Sequence, residues 1–148
     1  MTHFLNTNYS PKCLDRITEE LNNANWYMSP YGAERSDLSK ELKDDLQSSL
    51  PFKISDAGFL RRRPNSIYHP HIDPKRAFAL NLPLTDESEH AGTYVIKIQH
   101  TLNNGAIGYS NAYKEKVNYT KDCFTVLNVK LLHYVAVSYT HLTLPTNR

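Results

Sequence analysis

Apolar and polar positions change their period close to residue 50. In the first part, Leu14, Ile17 and Leu21 recur at helical spacing after Ser10-Pro11, which reads as an N-cap and first helical position, and Asn22-Asn23 ends the pattern. A second stripe begins at about Ser36, where Leu38, Leu42 and Leu46 alternate with Lys40, Glu41, Lys43, Asp44 and Asp45, and it stops before Pro51. Each stripe is narrow, so each helix is expected to cover one face of something else. From Phe52 onward the period shortens to two. The runs FKISDAGFLRR, RAFALNLPL, TYVIKIQ, AIGYSNAY and CFTVLNVKLLHYVAV are divided by turn residues and predict strands, with Asn103-Asn104-Gly105 supplying the positive-φ residues of a hairpin. A helical part over 1–50 followed by a β core over 52–136 predicts a mainly β, α+β domain: a sandwich or barrel backed by helices.

The run RAFALNLPL has two unequal faces. Phe78, Leu80, Leu82 and Leu84 share one, and Ala77, Ala79 and Asn81 share the other. The bulky face is expected to pack on the helices. The small face either leaves room for a ligand inside a barrel or fits a crowded sheet interior.

Composition narrows the classes. The chain has 148 residues, enough for one domain, expected over 1–136. Its 17 basic and 15 acidic residues are dispersed and leave a net charge of +2, so no nucleic-acid partner is indicated. The first residues, MTHFLNTNYSPK, lack the apolar stretch of a secretory signal, and no window reaches the roughly 20 apolar residues of a membrane span. Cys13 and Cys123 are too few for a disulfide scaffold, so a reducing, cytoplasmic setting is expected.

Ahead of the unequal strand stands SIYHPHID. In an extended segment His71 and Asp73, two apart, project from one face, and one imidazole and one carboxylate can then reach a single ion. A third ligand is available in His133. It lies amid Leu131, Leu132, Val135 and Val137, where burial favours the neutral imidazole that a metal requires. Two histidines and a carboxylate form the facial arrangement that leaves positions open and typifies non-haem Fe(II) oxygenases. Zinc competes for the same ligands.

The order of helices, HPHID, FALNLPL, hairpins and LNVKLLHYV resembles the Fe(II)- and 2-oxoglutarate-dependent dioxygenase superfamily, in particular small prolyl and aspartyl hydroxylase-like proteins of phage and marine bacteria. The resemblance covers roughly residues 52 to 136. It implies a double-stranded β-helix, or jelly roll, with His71, Asp73 and His133 as iron ligands and 2-oxoglutarate as a co-substrate consumed to succinate and carbon dioxide. The substrate is left open. Asn81, by parity inside the fold, and Arg76, at the start of the same strand, are candidates to bind the co-substrate.

One element of the family pattern is missing. The family's co-substrate arginine stands about ten residues past the distal histidine, and Thr143 occupies that place here, with Arg148 at the end. The final run VSYTHLTLPTNR resembles a translated sequencing adapter, so 137–148 is expected to be a non-native tail on a truncated jelly roll. His69 shares His-x-His spacing with His71, but Lys75 stands where a cupin-type site needs an acid, and His69 is expected at the surface. Arg61, Arg62 and Arg63 read as an exposed edge charged against aggregation, or else as a greeting for an anionic substrate. The alternative function is a non-catalytic, cupin-like binding or structural module on the same scaffold.

Overall fold

A computed structural model describes residues 3–30, 32–63, 65–85, 91–97, 99–110 and 113–137. Both helices form where the apolar stripes lie, although each starts later than its cap signal suggested. Helix α1 runs Leu14–Asn22, with its first hydrogen bond from the Ile17 amide to the Cys13 carbonyl. Ser10-Pro11 lies in the turn leading in. Helix α2 runs Lys40–Ser48 and is capped by Ser39, whose hydroxyl accepts from the Leu42 amide at 3.2 Å. That hydroxyl also donates to Glu20 of α1 at 2.6 Å, and Arg16 pairs with Asp45, so the helices are tied together at both polar edges.

The first fifty residues also contain strands that the helical reading missed. Strand β1 is Phe4–Asn6, β2 is Tyr27–Met28 and β3 is Glu34–Asp37. Strand β3, Glu-Arg-Ser-Asp, has no apolar alternation to announce it. It pairs with β4, Gly58–Arg61, through charges: Arg61 meets Glu34 at 2.8 Å, while Arg35 reaches Asp37 and Asp56 at 2.8 and 2.7 Å.

The remaining strands are β5 Ser66–His71, β6 Phe78–Asn81, β7 Ala91–Ile96, β8 Gln99–Thr101, β9 Ile107–Tyr109, β10 Lys114–Lys116, β11 Thr125–Asn128 and β12 His133–Val137. Strands β8 and β9 form the expected hairpin, and Gly105 in its turn has φ +80°. CFTVLNVKLLHYVAV is two strands, because the Asn128 side chain accepts from the Lys130 amide and turns the chain. Val137, assigned above to the tail, pairs through its backbone with Ser66 and Ala91. Residues 138–148, including Thr143 and Arg148, lie outside the described residues.

Two antiparallel sheets dominate, with orders β1-β11-β6 and β10-β7-β12-β5. The chain crosses repeatedly between them, since β5, β7, β10 and β12 belong to one while β6 and β11 belong to the other. Val95, Val117, Leu127 and Val129 fill the space between, with Phe4 and Ala79 against them. Three of the four residues of the predicted bulky face pack as expected, Leu80, Leu82 and Leu84 joining Ile17, Leu42, Leu46, Phe59 and Phe124 beneath the helices, whereas Phe78 is 46% exposed and meets Phe52 edge to face. The small face is filled at Ala79, which corrects the idea of open space there. Tyr94, Ile96, Leu132 and Tyr134 pack on the outer face of the four-stranded sheet, with Ile107 of the hairpin against them. Among the described residues no helix is long and apolar enough to cross a membrane.

Candidate metal centre

Strand β5 is an edge strand, which accommodates Pro70 without loss of a ladder hydrogen bond. Its pairing with β12 slips: Tyr68 faces Val135 and His71 faces His133, so β5 spends three steps where β12 spends two. The extra residue is a β-bulge. It puts Tyr68 and His71 on one side although their spacing is odd, with ring centroids 4.2 Å apart, and it brings the His71 ring to 4.4 Å from that of His133.

Both imidazoles are oriented by the backbone. Nδ1 of His71 lies 2.8 Å from the His69 carbonyl, and Nδ1 of His133 lies 2.9 Å from the Leu131 carbonyl. A carbonyl only accepts, so each Nδ1 carries a proton, and in the neutral ring the lone pair is left on Nε2. That is the arrangement by which metal-binding histidines are commonly held. His133 is 6% exposed, and burial pushes its pKa down, aided by His71 and opposed by Asp73 and the Leu131 hydrogen bond. The ring is therefore neutral at pH 7.

Asp73 follows β5 and is clasped to the turn between β11 and β12. Its amide donates to the Val129 carbonyl at 2.9 Å, while Lys130 Nζ donates to the carbonyls of Asp73 and Pro74 at 3.2 and 2.7 Å. Arg76 donates to Asp73 Oδ2 at 2.6 Å, and Oδ1 stands 3.6 Å from Nε2 of His71. One ligand atom from each of His71, Asp73 and His133 falls within 4.8 Å of the others. Donors on neighbouring positions about 2.1 Å from one ion lie about 3.0–3.4 Å apart, so side-chain adjustment of roughly 1–2 Å brings the three onto one ion. The residues present fit a divalent metal. His71 and Asp73 are only partly buried, which leaves the centre reachable from solvent.

The three residues proposed as ligands from the sequence thus come together. The other two candidates are each hydrogen-bonded within the protein. Arg76 grips the Asp73 carboxylate and is otherwise exposed, while Asn81 donates to the Tyr119 hydroxyl at 2.9 Å, which donates to Thr93 at 3.1 Å, bridging the two sheets. His69 is exposed, as expected, and contributes its carbonyl. The basic triplet is where the sequence reading fails: Arg63 is exposed, but Arg62 is 4% exposed, with its guanidinium 4.1 Å from the Tyr68 ring centre. Three consecutive arginines give no signal of which one turns inward. Comparison with models of known protein families and with curated proteins gives no match to this chain.

Proposed function

We propose that this chain is an Fe(II)- and 2-oxoglutarate-dependent oxygenase, a hydroxylase built on a jelly roll formed by the two crossing sheets. The observation that carries the reading is the convergence of His71, Asp73 and His133, with both Nε2 atoms freed for a metal by backbone carbonyls. Repeated passage of the chain between two packed antiparallel sheets supports the fold.

In this reading His71, Asp73 and His133 are the residues that would hold the iron. Bound iron and 2-oxoglutarate supply oxidation of a substrate C–H bond by dioxygen, coupled to release of succinate and carbon dioxide. The protein's own residues set the geometry. Arg76 fixes one oxygen of Asp73 and leaves the other toward His71, and burial keeps His133 unprotonated. Two unpaired cysteines, Cys13 and Cys123, suit a reducing, cytoplasmic setting.

The test is succinate formation from 2-oxoglutarate by protein supplied with Fe(II) and ascorbate under air. Wild-type protein is expected to release succinate even without substrate, and His71→Ala, Asp73→Ala and His133→Ala are each expected to lose at least about 100-fold while keeping the wild-type circular dichroism. Stoichiometric binding of Zn(II) or Co(II) with no succinate from the wild type ends the oxygenase reading and leaves a binding module.

A further inference from the structure

Of the three residues of the centre, His71 and His133 are placed by the register of β5 on β12, whereas Asp73 lies outside any strand. The loop over 72–77 has no ladder to hold it, and residues 74 to 77 are exposed. What fixes it is the turn between β11 and β12. There the Asn128 side chain accepts from the Lys130 amide, the Val129 carbonyl takes the Asp73 amide, Lys130 Nζ donates to the Asp73 and Pro74 carbonyls, and the Leu131 carbonyl orients His133. Four consecutive residues thus serve the loop of one ligand and the ring of another.

Lys130 uses its charge in an unusual way. Lys40 and Lys97 meet carboxylates and Lys114 lies over two tyrosine rings, but the Lys130 ammonium points at two main-chain carbonyls, 3.2 and 2.7 Å away. A compact group with three rotatable donors can gather the carbonyls of adjacent residues. We propose that Lys130 is a positioning residue of the metal centre: by gathering the Asp73 and Pro74 carbonyls it locks the 72–77 loop onto the turn that leads into His133, so that carboxylate and imidazole reach one ion. The inference rests on the metal reading above and adds to it the residue that places the one ligand outside a strand. Charge alone acts in the opposite direction, since an ammonium repels a divalent cation. The sign of the change on removing Lys130 therefore separates positioning from electrostatics.

Co(II) serves as the probe metal, since its visible absorption reports binding without turnover. Lys130→Met keeps most of the stem and removes the donors together with the charge. It is expected to bind Co(II) at least about fivefold more weakly than wild type. In the metal-free variant the Asp73 amide is expected to exchange with solvent deuterium at least about fivefold faster than in wild type, while the Ile96 amide, bonded to the Leu132 carbonyl at 2.8 Å, keeps its rate. Tighter Co(II) binding, a smaller loss, or an Asp73 amide that exchanges as in wild type overturns the positioning role and leaves the metal centre standing. Weaker binding with the Ile96 amide accelerated as much as that of Asp73 also overturns it, because the loss then belongs to the whole fold. Failure of wild-type protein to bind Co(II) overturns the metal reading, and the role of Lys130 falls with it.

Discussion

At the scale of single residues, the centre depends on which ring nitrogen carries a proton. The His69 and Leu131 carbonyls decide this for His71 and His133, and both belong to residues two positions earlier in the chain. The motif therefore brings part of its own orientation with it. Burial adds a pH dependence at His133, whose folded pKa lies below the ordinary 6.5. The unfolded chain takes up a proton there as pH falls through about 6.5 while the folded chain resists, so this contribution to stability is complete above 6.5 and is lost as pH drops toward the depressed folded value. Urea denaturation of metal-free protein between pH 7.5 and 5.5 is expected to show declining stability. In His133→Gln the decline should be shallower, and an unchanged slope would assign it to other groups.

At the scale of elements, local signals located the helices and the β8–β9 hairpin, but two features needed partners. The cap of α2 is a junction: Ser39 accepts from Leu42 within its own helix and donates to Glu20 of α1. Losing a serine cap costs about 0.5–2 kcal/mol, and the second bond places Ser39→Ala toward the upper end of that range. Equilibrium urea unfolding measures it, and a loss below about 0.5 kcal/mol would mean that the bond to Glu20 contributes little. The bulge in β5 is the other feature. Period-two counting from Tyr68 puts His71 on the opposite face, and only the slipped register against β12 brings their rings together. His71 and Asp73 needed no such correction, because parity past the bulge is regular.

At the scale of the molecule, two sheets share a largely apolar core that a polar bridge crosses, in which Asn81 donates to Tyr119 and Tyr119 to Thr93. Parity had turned Asn81 inward correctly. What it meets there is a tyrosine from the segment after β10, a partner that nothing near Asn81 in sequence announces. Tyr119→Phe strands a partly buried amide and is expected to cost about 1–3 kcal/mol. Its urea midpoint should fall accordingly with Co(II) affinity within about twofold of wild type, since the bridge joins Asn81 to Thr93; a large loss of affinity would tie the bridge to the centre.

Taken by itself, the sequence determined what is local or periodic: two amphipathic helices, the unequal faces of β6, the hairpin at Gly105, and a histidine and an aspartate two apart on one face with a second histidine in an apolar run. These follow from backbone periods and residue chemistry, which act over a few positions. The tertiary structure decided the short polar strands of the first fifty residues, the division of β11 from β12, the bulge that aligns Tyr68 with His71, and the inward turn of Arg62 beside two outward neighbours. Those outcomes depend on pairing between segments distant in the chain, where the gain from burying one partner exists only once the other is in place.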